Sequence, residues 1–207
     1  MNLYQHSLEE FEADVVRNQP LLTQLMKDTD RDEDWHWFRF PFLAEGDTPA
    51  KRAGIRKFLA QQGYKVAAVT MSFGDYLWNE PYARCEAKGD EKAVALLESS
   101  YLSAAVGSVS YYREMSRALY GRDIPYVLLM HIGAFDAEML PRLLKLYQSK
   151  GFQFVPLARA ESDEAYRQDT DLNLPDAADT LEALMAERHL PLPAKTEPAV
   201  QLDALCR

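Results

Sequence analysis

The sequence predicts an α/β fold built on a parallel sheet. Segments of helical periodicity alternate with four short apolar segments, the order produced by parallel strands joined through right-handed helical crossovers. The third apolar segment, Pro125 to Met130 (PYVLLM), has almost no polar face, as a strand covered on both sides requires. A chain of 207 residues with 47% apolar content is long enough to bury a substantial core without covalent help.

The first helix is expected from Leu8 to Met26. Ser7 and Glu10 have capping-box spacing, and Phe11, Val15, Leu22 and Leu25 fall on one helical face. Pro20 removes a donor inside this helix and is expected to kink or split it. The acidic stretch from Lys27 to Asp34 reads as a surface loop. Trp35 to Phe40 has the short aromatic pattern of a strand and stops at Pro41. Thr48 then caps a helix that starts on Pro49, packs Ile55, Phe58 and Leu59 inward, and ends near Gly63. Tyr64 to Thr70 (YKVAAVT) reads as the second strand. A long helical stretch follows from Asp90 to Tyr120 and stops at Gly121, its Ala, Leu, Val and Tyr residues forming a core-facing side. After the third strand, Asp136 is expected to cap a helix from Ala137 to Lys150, and Phe152 to Leu157 to form the fourth strand. From Glu161 onward Asp, Ala and Pro dominate, with one more helix around Asp179 to His189 and a Pro-punctuated tail.

Composition removes several classes of function. A net charge of -9 disfavours phosphate backbones, so no nucleic-acid partner is expected. No run of about 18 apolar residues is present, which predicts no membrane span. The opening MNLYQHSLEEFEADVV lacks a basic segment leading into an apolar one, so no secretion signal is read there. Cys85 and Cys206 are too few for a disulfide framework or a zinc ribbon, and two unpaired thiols are expected. His6, His36 and His189 share no metal-ligand spacing, and no phosphate loop or nucleophile elbow is found.

In parallel α/β folds the chemistry collects where strands end. The first strand ends in Phe38-Arg39-Phe40-Pro41, the second runs into Ser72-Phe73-Gly74-Asp75-Tyr76-Leu77-Trp78, and the third ends in Leu129-Met130-His131. One Arg, one Asp and one His are thus expected on one rim. A histidine directly after a buried strand needs a partner, and Asp75 is suited to orient its ring for general acid/base work. Tyr76 and Trp78 are candidates for the wall of a sugar groove. Each residue also has a plain structural reading, with Arg39 as an ion-pair partner, Asp75 as a turn residue and the aromatics as core.

The segments Trp37 to Leu43 (WFRFPFL), Val69 to Asn79 (VTMSFGDYLWN) and Tyr126 to Phe135 (YVLLMHIGAF) resemble, in order, the later motifs of the polysaccharide deacetylase family. This is carbohydrate esterase family 4, the NodB homology domain, whose members remove acetyl groups from N-acetylated sugars in chitin-like or peptidoglycan glycans. The resemblance implies that His131 is the general acid protonating the leaving amine and that Asp75 orients it. It further implies that Arg39 tethers the catalytic-base aspartate, that Tyr76 stands where a groove-wall tryptophan is usual, and that Val127 and Leu129 form the acetyl-methyl pocket. In the family a divalent metal, often zinc, polarises the amide carbonyl and activates water.

Two departures stand out. Ser72 occupies a place where the family motif usually opens with Asp. The paired aspartates and the His-Ser/Thr-x-x-His-like ligand pair of the family's opening motifs have no counterpart in this sequence. The expectation is therefore a partial, distorted (β/α) barrel of the polysaccharide deacetylase type with its opening strands missing, a truncated metal site, and Met1 as an internal start. Residues 1–160 would be the deacetylase-like domain and 161–207 an acidic helical extension. An N-acetylated glycan or oligosaccharide is the expected partner, and the sheet edge left bare predicts a homodimer. The alternative is a non-catalytic descendant, either a sugar-binding or a purely structural remnant; a metal-free hydrolase using Asp75 and His131 lacks a nucleophile. The family often works in the periplasm or outside the cell, and the sequence itself assigns no compartment.

Overall fold

Ser7 and Glu10 close a capping box at the start of α1 (Leu8–Met26): the Ser7 hydroxyl accepts from the Glu10 N–H at 3.2 Å, and the Glu10 carboxylate accepts from the Ser7 N–H at 3.0 Å. A computed structural model describes residues 1–27, 29, 36–170, 180–195 and 200–207, except for the side chain of Gln168. The start of the expected first strand at Trp35 and most of the acidic loop before it lie outside the described residues. Pro20 does not split α1. Phe11 and Val15 are buried as expected, Leu22 is half-buried, and Leu25 points into solvent, so the core-facing stripe fades after Pro20.

The remaining elements in chain order are β1 (Trp37–Phe38), α2 (Pro49–Gln61), β2 (Lys65–Val66), α3 (Asn79–Lys88), α4 (Glu91–Tyr120), α5 (Ala134–Ser149), α6 (Leu157–Ala160), α7 (Arg167–Thr170) and α8 (Leu181–Glu187). The chain is mostly helical, and β1 and β2 pair in parallel to form a two-stranded sheet, Trp37 opposite Lys65 and Phe38 opposite Val66. The expected strands are therefore much shorter than their apolar segments, and the reason is visible in the hydrogen bonds. Beyond Val66 the Ala67 N–H still donates to the Phe38 carbonyl, but side chains take the next groups: Arg39 donates to the carbonyls of Ala67 and Ala68, and the Glu161 carboxylate accepts from the Ala68 N–H. The third expected strand pairs only through one parallel bridge, Met71 with Leu128, because the Thr70 hydroxyl takes the Val127 N–H that would extend the ladder. Phe152 to Leu157 forms no strand. Phe152 packs on Tyr126, Tyr147 and Arg113, Phe154 and Val155 are exposed, and Leu157 already begins α6.

The chain divides into two compact units, Met1–Ala68 with Leu157–Asp179, and Val69–Pro156 with Thr180–Arg207. In the first, α1, α2 and the sheet enclose Leu3, Phe11, Val15, Phe40, Ile55, Leu59, Tyr64 and Val66. Arg56 is buried with them, its Nη1 donating to the buried Glu45 carboxylate at 2.5 Å. α2 starts as the sequence predicts, with the Thr48 side chain capping and Pro49 in its first turn.

The second unit is organised on α4, capped by the Asp90 side chain and closed by Gly121 in the left-handed region at φ 71°. Its inward side carries Leu97, Tyr101, Ala104, Ala105, Val109 and Met115, against which α3, α5 and α8 pack. Taken by length and composition alone, α4 could cross a membrane; its one-sided burial here is that of a core helix. Besides the strands, two further expectations fail in this unit. α5 starts at Ala134 after Gly133, so Asp136 lies inside its first turn instead of capping it. Cys85 and Cys206 are joined as a disulfide, so they are not free thiols.

Candidate functional site

Gly74 sits at φ 72°, a left-handed conformation that turns the chain sharply after the bridged segment and into a 3-10 turn from Asp75 to Trp78. The Ser72 hydroxyl helps to hold this turn by accepting from the Gly74 N–H at 3.4 Å. The turn places Asp75 in the interior, 0% exposed, yet aimed at the segment that follows the bridge on the other side. Both of its oxygens are used by one residue. Asp75 Oδ2 accepts from the His131 backbone N–H at 2.6 Å, and Oδ1 lies 2.9 Å from His131 Nδ1. A buried carboxylate facing Nδ1 favours the proton on that nitrogen and leaves Nε2 as the position for proton exchange. The ring keeps access to solvent, with the side chain 43% exposed. Tyr76 meets it edge-on at 4.8 Å between ring centroids and is itself 53% exposed. The Asp75–His131 pair expected from the sequence is therefore formed, and the reading of Asp75 as a self-bonded turn residue is not.

Val127, Leu129 and His131 are two residues apart in a segment paired through Leu128, and such spacing in extended chain puts them on one face. Val127 is buried and Leu129 half-buried. Trp78 does not line a groove. It is 0% exposed, its Nε1 donates to the Ser100 hydroxyl at 2.8 Å, and its ring packs edge-on against Tyr101 at 5.5 Å. Residues Asp75 to Trp78 form a 3-10 turn, whose three-residue repeat sends Trp78 to the same interior side as Asp75 and leaves Tyr76 outside. Arg39 belongs to the first unit, where its guanidinium holds the Ala67 and Ala68 carbonyls at 3.3 and 3.4 Å. Burial lowers its affinity for the proton, and the Glu161 carboxylate opposes that.

A second buried carboxylate, which the sequence offers only as a helix cap, stands within the electrostatic reach of the pair. Asp136 Oδ2 accepts from Asn79 Nδ2 at 2.6 Å and Oδ1 from the Tyr101 hydroxyl at 3.1 Å. Burial raises its carboxyl above the usual range, the Asn79 hydrogen bond holds it down, and the Asp75 charge adds to the rise. Burial and the Asp136 charge together push the Tyr101 hydroxyl well above the ordinary phenol range, which keeps it a donor. The only local hint of this network was an acid beside the apolar stripe Phe135, Met139 and Leu143. Among the described residues no three His, Cys, Asp or Glu side chains converge to hold a metal ion.

No family model matches the chain, and neither a curated protein nor a solved structure does.

Proposed function

We propose that this chain is a hydrolase of the polysaccharide deacetylase type, acting on the acetamido group of an N-acetylated sugar, with Asp75 and His131 as its proton-donating half. The observation that carries this reading is the double engagement of one buried carboxylate by one histidine, main chain and ring together. Asp75 fixes both the position and the tautomer of the ring. After water has added to the amide carbonyl carbon, the imidazolium form of the ring delivers its Nε2 proton to the departing sugar nitrogen as the C–N bond breaks; acetic acid and the neutral amine leave, and the ring keeps its proton on Nδ1. Val127 and Leu129 offer apolar surface on the His131 side of the segment for the acetyl methyl, and exposed Tyr76 offers a ring face for the sugar. On the same reading, the fold would be a partial, distorted (β/α) barrel of the family's type. Arg39 would serve the base aspartate only in a protein that supplies one. The zinc implied by the resemblance has no donor set among the described residues, and the roles assigned to this chain are those of its own side chains.

Acetate release from chitooligosaccharides and peptidoglycan fragments, with metal per chain measured on the same preparation, tests the proposal. The wild-type chain is expected to release acetate, and His131→Ala to lose about 10²–10⁴-fold of that rate with its fold intact. Equal rates in the two proteins would remove His131 as the acid. A second reading, a non-catalytic sugar binder, is favoured by the exposure of Tyr76 beside His131. Saturable glycan binding that Tyr76→Ala abolishes, with no acetate released, would select it.

A further inference from the structure

His131 and the first turn of α5 are separated by only Ile132 and Gly133. Ile132 is fully exposed and contributes no packing that could hold this short connection in place. Its near end is fixed by Asp75, which accepts the His131 N–H and faces the ring. Its far end is fixed by Asn79, whose Oδ1 accepts from the Phe135 N–H at 3.1 Å. Asp75 and Asn79 stand at the two ends of the stretch where the 3-10 turn runs into α3, so this short segment grips the connection at both ends. The Asn79 amide is itself held from below, because Nδ2 donates to Asp136 Oδ2, the carboxylate that Tyr101 supports on its other oxygen. Nδ2 also approaches the Tyr76 carbonyl at 3.5 Å. Asn79 thus caps α5 from a neighbouring helix, a task its own N-cap residue Gly133 cannot perform without a side chain.

Gly133 completes the arrangement. Its φ of -141° suits any residue, so the backbone does not demand glycine there. A Cβ at this position would instead fall within the van der Waals radii of the Asn79 amide atoms. Glycine is needed to leave room for that amide.

We propose that Asn79 is a positioning residue for His131, acting through residues 132–135 with Asp136 and Tyr101 as its support and Gly133 as its seat. The assignment rests on the reading of Asp75 and His131 as the proton-donating pair and adds the device that holds the pair together.

The test is the tautomer of the His131 ring, read by long-range ¹H–¹⁵N correlation on the full ¹⁵N-histidine-labelled chain, with His131→Gln used to assign the signal. In the wild type the neutral ring is expected to carry its proton on Nδ1. Asn79→Ala should turn this dominant form into a minor one while far-UV circular dichroism stays unchanged. Gly133→Ala, which displaces the amide without deleting it, should do the same, and combining the two should add nothing further. This second route keeps the test open if Asn79→Ala does not fold. A dominant Nδ1–H signal in both variants overturns the assignment even if acetate release has been found. Loss of that signal in both variants of a chain that releases no acetate sustains the role of Asn79 and removes the deacetylase reading instead.

Discussion

A carboxyl group that loses its hydration holds its proton more tightly, and Glu161 shows how far neighbours can offset this. It is 7% exposed; its Oε1 accepts from the Ala68 N–H at 2.8 Å, while Oε2 makes no hydrogen bond among the described residues. Its pKa is raised to about 7: burial is the largest cause and the Asp169 charge adds to it, while the Ala68 N–H and Arg39 oppose the rise. The folded state therefore binds the proton more strongly than the unfolded chain, so the group costs stability as pH rises from about 4.5 to about 7 and the cost stays constant above that. Urea unfolding at pH 5 and pH 8 should show wild type losing up to about 3 kcal/mol relative to Glu161→Gln across that interval. Parallel stability curves for the two proteins would mean that Glu161 is ionised at little cost. A second pair of substitutions separates groove from core at the neighbouring aromatics. Trp78→Ala should cost about 3–5 kcal/mol, as for a large buried ring, while Tyr76→Ala should change stability by less than about 1 kcal/mol. Equal costs would contradict the inward and outward placement of the two rings.

At the level of elements, what is legible in the sequence is what depends on near neighbours. The capping box at Ser7 and Glu10, the Thr48-Pro49 start of α2 and the Asp90-to-Gly121 span of α4 each need residues within one turn, and all are present. Ser7→Ala should accordingly cost about 1 kcal/mol in urea unfolding, and Ser7→Asp should restore most of it; a neutral Ser7→Ala would show that α1 is held by packing alone. The strands are less legible, because apolar patterning marks where a ladder is possible and not which groups take its hydrogen bonds. Arg39, Glu161 and Thr70 intercept backbone groups that would have lengthened the pairings, and these contacts join residues 28 to 93 positions apart. The candidate site divides along the same line. Asp75 and His131 were readable because each follows a strand-like segment. Asn79, Tyr101 and Asp136 were not, since their meeting depends on how α3, α4 and α5 pack. Trp78 is buried, not on the groove rim that its spacing suggests, because sequence spacing alone does not distinguish a 3-10 turn from an extended rim.

For the molecule as a whole, one long-range tie is covalent. The Cys85–Cys206 disulfide lies in the second unit and closes a separation of 121 residues, during which the chain leaves that unit after Pro156 and re-enters it at Thr180. Cys85 is wholly buried on α3, and the carboxy-terminal segment it captures is also held by Arg84, which donates to the carbonyls of Leu202 and Leu205, and by Lys88, which donates to the Arg207 carbonyl. The Lys88 contact is exposed and the Arg84 contacts are half-buried, each worth about 1 kcal/mol, whereas a crosslink over so long a loop removes much of the unfolded chain's freedom and contributes about 2–4 kcal/mol. For a chain of this size that corresponds to a fall of roughly 4–16 °C in Tm when the bond is opened. Reductant should therefore lower the Tm of the wild-type chain and leave Cys206→Ser unaffected, with the two reduced proteins melting together. Thiol titration of the denatured, unreduced wild type should find no free sulfhydryl. Two free thiols in that titration, or a Cys206→Ser variant that responds to reductant as the wild type does, would show that the carboxy-terminal segment is held by Arg84 and Lys88 alone.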